Sequence, residues 1–355
     1  MKRRLFLVGG TLASLATACV WRSSVGPSQS FLSSFDPPLS EPDARSVDSA
    51  NRLAARKELY IEHVEPAIRD ADAANQDAAQ RAVNTLWDTL NGYRRGIGPF
   101  CDELLSYSTR LGVLSRVPGD WWYNRDSIGP YVHAKFAHHL FTDAKIEADI
   151  QRAIQQFYED ENANRNSMII RVKLAMSQSD FPELPNIDVQ HLASKMSQQI
   201  EALSQEAGIK SSTNMILAEL AGEGASMLAK YFLTQVTVRF ANMAASSIAA
   251  AGGTSVASTT GGAGMGSMAG PLGTATGIAA GLVVGMIIDH WMSSHYRQHV
   301  CHQINGMIDV LLNEVVSGDS EGNEEHGFTS GLAGCCRALN MSYSNTFQTI
   351  LLGPR

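Results

Sequence analysis

Charge is what the middle of this chain lacks. From position 240 to 288 there are 49 consecutive residues without an Asp, Glu, Lys or Arg, bracketed by Arg239 and Asp289. Proline is scarce as well: of 12 in the chain, four fall between positions 27 and 42, which leaves the rest of the 355 residues open to long helices. Period-two alternation is missing, and so is any repeat of roughly 20 to 50 residues, which argues against sheet folds and solenoids. Enzyme signatures are missing too: there is no G-x-S-x-G elbow, no H-E-x-x-H and no Walker-type phosphate loop. Nothing in the residues proposes catalysis, and no cofactor is expected. Gly264, Gly266 and Ala269 do read G-x-G-x-x-A, but without the preceding apolar strand and acidic partner that dinucleotide binding needs. Basic clusters are absent, and 28 Lys and Arg against 35 Asp and Glu give a formal charge of −7, so nucleic acid is not the expected partner.

What the uncharged stretch does contain is glycine at period four: Gly262, Gly266 and Gly270, then Gly273, Gly277, Gly281 and Gly285. Residues at that spacing share nearly one helical face, so these glycines form a groove in which a second helix can pack backbone to backbone. A spanning helix needs roughly 20 apolar residues, and the stretch is long enough for two such legs and a turn. The first leg carries Phe240, Met243 and Ile248 and ends at Gly252 and Gly253; Pro271 opens the second, which runs from Leu272 to Ile288. Tyr231 and Phe232 before the first leg, and Trp291 and Tyr296 after the second, suit an aromatic belt at one interface. Because Gly, Ala, Ser and Thr dominate the first leg, the same stretch also fits a buried helix pair inside a bundle. The residues leave both readings open.

The N-terminus, residues 1–18, resembles an export signal, with Lys2, Arg3 and Arg4 ahead of an apolar run from Leu5 to Leu15 and the small residues Ala16, Thr17 and Ala18. Arg3, Arg4, Leu5, Phe6 and Leu7 match the twin-arginine R-R-x-F-L pattern, with Lys2 where Ser or Thr is usual. Cys19 follows a segment that looks like a lipoprotein cleavage box, although Ala16 and Ala18 equally satisfy the ordinary A-x-A rule; lipidation of Cys19 is the expectation. Removing residues 1–18 deletes three cations and no acid, moving the formal charge from −7 to −10. Residues 19–48 are rich in Ser and Pro and read as a tether of up to about 100 Å when extended. The expected location is the cell envelope, membrane-anchored.

Beyond the tether, the spacing predicts an all-α fold, an elongated bundle of long helices. Its N-terminal helical region spans 49–185 and its C-terminal helical region 186–355, the latter containing the apolar hairpin 240–288. In the first, Leu53, Leu59, Ile61, Val64 and Ile68 lead to Val83, Leu86, Trp87 and Leu90, with a kink predicted at Pro66. A helix through Cys101, Leu104, Leu105, Leu111 and Leu114 precedes the turn Pro118–Gly119–Asp120, and Trp121, Trp122 and Tyr123 read as a core anchor. Thr142 is the predicted N-cap of a long helix whose stripe is Ile146, Ile150, Ile154, Phe157, Met168, Val172, Ala175 and Met176. Asp188 and Ser211, Ser212 or Thr213 start the next two helices, and Gly318 stops the one after the hairpin.

Among residues that carry chemistry, His295, His299 and His302 share one helix face at i, i+4 and i+7, with Asp309 two turns further on. Together they suggest a transition-metal site if a second element, such as His133, His138 or His139, completes it; a histidine-lined surface is the alternative. Cys101, Cys301, Cys335 and Cys336 lack zinc-module spacing, and in an exported chain Cys301 with Cys335 or Cys336 would staple the last helix to the hairpin stem.

Long amphipathic helices carrying a weakly hydrophobic, glycine-zippered hairpin resemble the helical pore-forming toxins and other glycine-zipper membrane proteins. The likeness is architectural, covers chiefly 213–318 and brings no matched functional residues. It implies membrane lipid as partner and homo-oligomerisation through Gly273, Gly277, Gly281 and Gly285. The alternatives are an envelope scaffold lipoprotein, with the hairpin as static anchor or buried helix pair, and a metal-binding periplasmic protein.

Overall fold

The computed structural model describes residues 44–116, 127–178, 189–207, 211–220, 227–250, 274–290, 296–318 and 326–353. Every regular element among them is helical, as the sequence spacing predicts. The chain divides into two compact units, 1–49 and 50–355. Only 44–49 of the first are described, and they open α1 (Ala44–Leu59). The second takes in both helical regions expected from the sequence, since the last helix packs on one of the first.

Pro66 shapes the entry to α2 (Glu65–Asn91). A proline has no N–H to donate and its ring crowds the carbonyl four residues back, so the helix slips register in the turn before it. The result is a π turn, Tyr60–Val64, closed by Glu65 N–H donating to the Tyr60 carbonyl. The buried line of α2 is largely alanine: Ala67, Ala71, Ala78 and Ala82, then Leu86 and Leu90. Trp87 lies one residue off that line and is 44% exposed, against the stripe read from the sequence, and Leu53 and Ile61 are exposed as well. Small side chains let the long α6 (Asp143–Gln178) lie close against α2. The two run antiparallel, clasped at the surface by Arg81–Asp160 and Arg171–Asp70 at 2.9 and 2.8 Å. Lys145 N–H donates to Thr142 Oγ1 at 3.1 Å, so Thr142 caps α6 as predicted.

The helix expected through Cys101 and Leu111 is two. Ser106, with extended ψ of 146°, ends α3 (Ile97–Leu105) and caps α4 (Tyr107–Leu114) by accepting from Thr109 N–H. Leu111 and Leu114 are consequently exposed. After α5 (Ile128–His139) and α6 come α7 (Val189–Ala207) and α8 (Ser212–Leu220), whose start Ser211 caps. The last helix, α12 (Phe328–Leu352), packs across α2, α7 and α8. It crosses α8 closely because Gly331 and Gly334 face Ser212 and Thr213 with no room for a side chain.

The two ends of the uncharged stretch fall on α9 (Met227–Ala250) and α10 (Ala275–His290), which pack against each other, while 251–273, with the predicted turn at Gly252, Gly253 and Pro271, lie outside the described residues. Its first leg is the end of a helix that begins 13 residues earlier, anchored by Phe232, Val236 and Phe240 and by Arg239–Glu314 at 2.8 Å. Within the second leg, predicted from Leu272, the described helix starts at Ala275, with Gly277 N–H donating to Thr274 Oγ1. It is also packed on α5, burying Ala275, Thr276, Gly277, Ile278, Ala279, Ala280 and Val283. No helix among the described residues is long and apolar enough to cross a membrane. In α11 (Tyr296–Leu312) the buried residues Val300, Ile304, Met307, Ile308 and Leu311 repeat at helical spacing, and a π turn, Asn313–Ser317, ends at Gly318. Gly318 has φ of +72°, the left-handed conformation that makes glycine the expected stop there.

One half-buried acid has a measurable consequence. Glu219 on α8 has a carboxyl oxygen with no hydrogen-bond partner among the described residues, and burial pushes its pKa up to about 7. A carboxyl raised in the folded state is protonated there before it is in the unfolded chain, so stability falls as pH rises from about 4.5 to about 7. Since Glu219 is only partly buried, solvent screening limits the effect to roughly 1–2 kcal/mol. Glu219→Gln should therefore be the more stable form at pH 8 by that margin and nearly equal to the parent at pH 4. Urea midpoints at the two pH values measure this; a parallel pH dependence in parent and variant would refute it.

Candidate functional site

Among the described residues a recess lies where a 3-10 turn, Gly92–Gly96, meets the end of α5 and the first turns of α6. It has a volume of about 710 Å³ and is lined by Asp88, Tyr93, Arg95, Lys145, Asp149 and Arg152 among others. Two glycines build it in opposite ways. A Cβ on Gly96 would sit 1.9 Å from the His139 carbonyl oxygen, so Gly96 lets the end of α5 dock on the turn. A Cβ on Gly92 would meet nothing within 4 Å, because Gly92 faces open space.

The floor is a buried polar pair. Tyr93, 4% exposed, donates its hydroxyl proton to Asp149 Oδ2 at 2.6 Å, and Arg152 Nη1 donates to Asp149 Oδ1 at 2.7 Å. Burial, then the bond to Asp149, pushes the Tyr93 phenol far above its ordinary value. Tyr93 is thus a fixed donor and not a base. Its ring stacks on Phe141, and Lys145 Nζ lies 4.6 Å from the ring centre. Along one side, Glu103 accepts from Lys135 and pairs with His139, and the two hydrogen bonds hold its carboxyl below the usual range. Arg95, Lys145 and the exposed Arg152 can hold an anionic group by charge and donated hydrogen bonds, against the opposing charges of Asp88 and Asp149.

Of the residues singled out from the sequence, His139 lines this recess and the others lie elsewhere or outside the described residues. His299 and His302 are exposed on α11 and His295 lies outside the described residues. Asp309 is engaged by Arg94, which also donates to Asn305 Oδ1 at 2.7 Å. Of the histidines considered as a second element, His139 is held by Glu103 and His138 meets His139 edge to face. Among the described residues no three His, Cys, Asp or Glu side chains are arranged to hold a metal ion. A straight helix spreads i, i+4 and i+7 imidazoles along about 10 Å of its axis, too far to converge without help. Cys19, Gly262, Gly266, Gly270 and Gly273 lie outside the described residues, as do Trp121, Trp122, Tyr123 and Asp188. Gly277 is buried in α10 and Gly281 half-buried; Gly285 lies on the same helix. Cys101, Cys301, Cys335 and Cys336 are free thiols.

Sequence reasoning missed the recess because its walls come from three segments with no shared motif. One signal was present: Asp149 interrupts the apolar face that carries Ile146, Ile150 and Ala153, and an acid on a buried face demands partners. No family model matches the chain, and neither curated proteins nor solved structures provide a match.

Proposed function

We propose that this is an exported, envelope-tethered helical protein that keeps an uncharged glycine-rich hairpin packed in its own bundle and delivers it to a bilayer. The observation that carries the reading is the make-up of α10. From Ala275 to Ile288 it has no charged residue, and it buries mainly alanine and glycine. A helix apolar on every side suits either a protein core or lipid. Small side chains bury little area each, so undocking such a helix costs far less than undocking one of Leu and Phe. In lipid, Gly273, Gly277, Gly281 and Gly285 would offer the smooth face through which copies associate. Lipidation of Cys19 would hold the chain at the membrane while the hairpin enters.

One observation favours the scaffold reading, in which α10 never leaves. At 16 residues α10 is about 24 Å long, short of the roughly 30 Å hydrocarbon layer. Asp143 Oδ1, at the start of α6, also accepts from Thr276 N–H at 2.9 Å and from the Thr276 hydroxyl, fixing the helix start to the bundle.

The chain from residue 19 onward, with Cys19→Ser to remove any lipid, separates the two. Incubated with anionic vesicles and floated on a gradient, it should travel with lipid, release trapped dye, and leave a fragment containing 240–288 protected from elastase. Protein that stays at the bottom of the gradient, with no dye release, would establish the scaffold reading instead.

A further inference from the structure

Two of the four thiols among the described residues meet across a helix interface that the sequence did not pair. Cys101 on α3 is 1% exposed, and Cys301 on α11 lies across the interface, close enough for its sulfur to act on the Cys101 thiol. The helices pack together there, with Phe100 and Leu104 buried on one side and Val300 and Ile304 on the other. Beside the sulfurs the interface is locked in register: Arg297, one turn before Cys301, donates through Nε and Nη2 to Asp102 Oδ1 at 3.0 and 2.7 Å. Cys335 and Cys336 are consecutive on α12, so their side chains diverge by about 100° around the helix and are poorly set to bridge each other.

We infer that Cys101 and Cys301 are a disulfide site, joining α3 to α11 when the folded chain meets an oxidising environment. The two thiols differ in what they can do. Burial, and then the Cys301 sulfur, push the Cys101 thiol up, so Cys101 is a poor first nucleophile. Cys301 is only partly buried, so an oxidant reaches its sulfur before that of Cys101. Cys301 therefore reacts first. Its thiolate attacks one sulfur of a small-molecule disulfide, forming a mixed disulfide and expelling one thiolate. Cys101 then gives up its proton and attacks Cys301 Sγ, which forms the Cys101–Cys301 bond and expels the second thiolate. Two protein thiols are oxidised and one external disulfide is reduced to two thiols. The bond closes the loop from 101 to 301, about 200 residues that contain α4 through α10. It would tie the helix after the uncharged stretch to the N-terminal half, whichever way α10 behaves, so the inference does not depend on the bilayer reading.

The test uses the folded full-length chain, reduced, freed of reductant and exposed to oxidised glutathione, then alkylated and digested. Trypsin alone leaves Cys301, Cys335 and Cys336 on one peptide, 298–337, because no Lys or Arg intervenes. Adding a protease that cuts after Glu separates them at Glu314, Glu321, Glu324 and Glu325 and releases Cys101 on 96–103. Mass spectrometry should show 96–103 joined to 298–314, with Cys335 and Cys336 alkylated. The oxidised chain should melt about 5 °C or more above the reduced one. Cys301→Ser, a milder change than replacing buried Cys101, should abolish both the linked peptide and the shift. Alkylated Cys101 and Cys301 after oxidation, or Cys301 joined to the Cys335 or Cys336 peptide, would overturn the assignment.

Discussion

Glu161→Ala should cost about 3 kcal/mol of stability, read as a fall in the urea midpoint at constant slope. Glu161 sits on the buried face of α6, 1% exposed, where α2 and α12 close over it. Tyr343 of α12 donates its hydroxyl to Glu161 Oε1 at 2.6 Å, and Arg165 Nη1 donates to the same oxygen at 3.2 Å. Two effects oppose each other when the carboxyl is removed. Burial raises the Glu161 pKa against the pull of Arg165 and Tyr343, so its charge is a burden that the substitution relieves. Against that, Arg165, whose side chain is 11% exposed, loses its carboxylate, and the fully enclosed Tyr343 hydroxyl loses its acceptor. Stranding a cation and a hydroxyl in the core outweighs the relief, because each forfeits solvation that nothing replaces. Arg165 keeps Asn162 as a partner, which holds the loss near the lower end of what a broken buried pair costs. Glu161→Gln, which retains an acceptor for Tyr343, should lose less. A midpoint within experimental scatter of the parent for Glu161→Ala would show that this polar layer contributes nothing net.

Gly96→Ala should be comparably damaging, by about 3 kcal/mol or a fall in Tm of roughly 6–12 °C. The reason is space and not backbone freedom: Gly96 has an ordinary φ of −79°, but its added Cβ would lie 1.9 Å from the His139 carbonyl oxygen and 2.8 Å from its carbon. A backbone carbonyl cannot swing away like a side-chain tip, so α5 must lift off the turn. That would loosen the Phe100–Phe136 edge contact and the wall of the recess. Gly92→Ala is the internal control, four residues away in the same turn. It has φ of −59° and open space around its Cβ, and should raise stability by roughly 0.5 kcal/mol. Equal melting temperatures for the two variants would mean that the turn does not anchor α5.

Much of the architecture was legible before any coordinates, because it is written in short-range terms. Helical spacing of apolar residues, the caps at Thr142 and Ser211, the disturbance at Pro66 and the stop at Gly318 all depend on groups within about five residues of one another, so a local pattern suffices. Even the divergence of Asp160 and Glu161 around α6 follows from helix geometry: one reaches Arg81 at the surface and the other Tyr343 in the core. Local pattern failed where one residue of phase mattered, as at Trp87, since neighbours 100° apart look alike in a stripe.

The candidate recess was almost wholly illegible. Gly92, Tyr93, His139, Lys145 and Asp149 meet only because α2, α5 and α6 converge, and nothing in Gly92 or Gly96 says which of them will face a carbonyl and which will face open space. By itself the sequence determined an all-α chain with an uncharged, glycine-spaced segment and four cysteines past position 100. Tertiary structure decided which thiols meet and that the second leg, α10, is packed on α5 and α9. The physical reason is the same in both cases: a helix apolar on every side has no face that selects its neighbour, and a cysteine has no local signature of its partner, so only the packing of distant helices chooses.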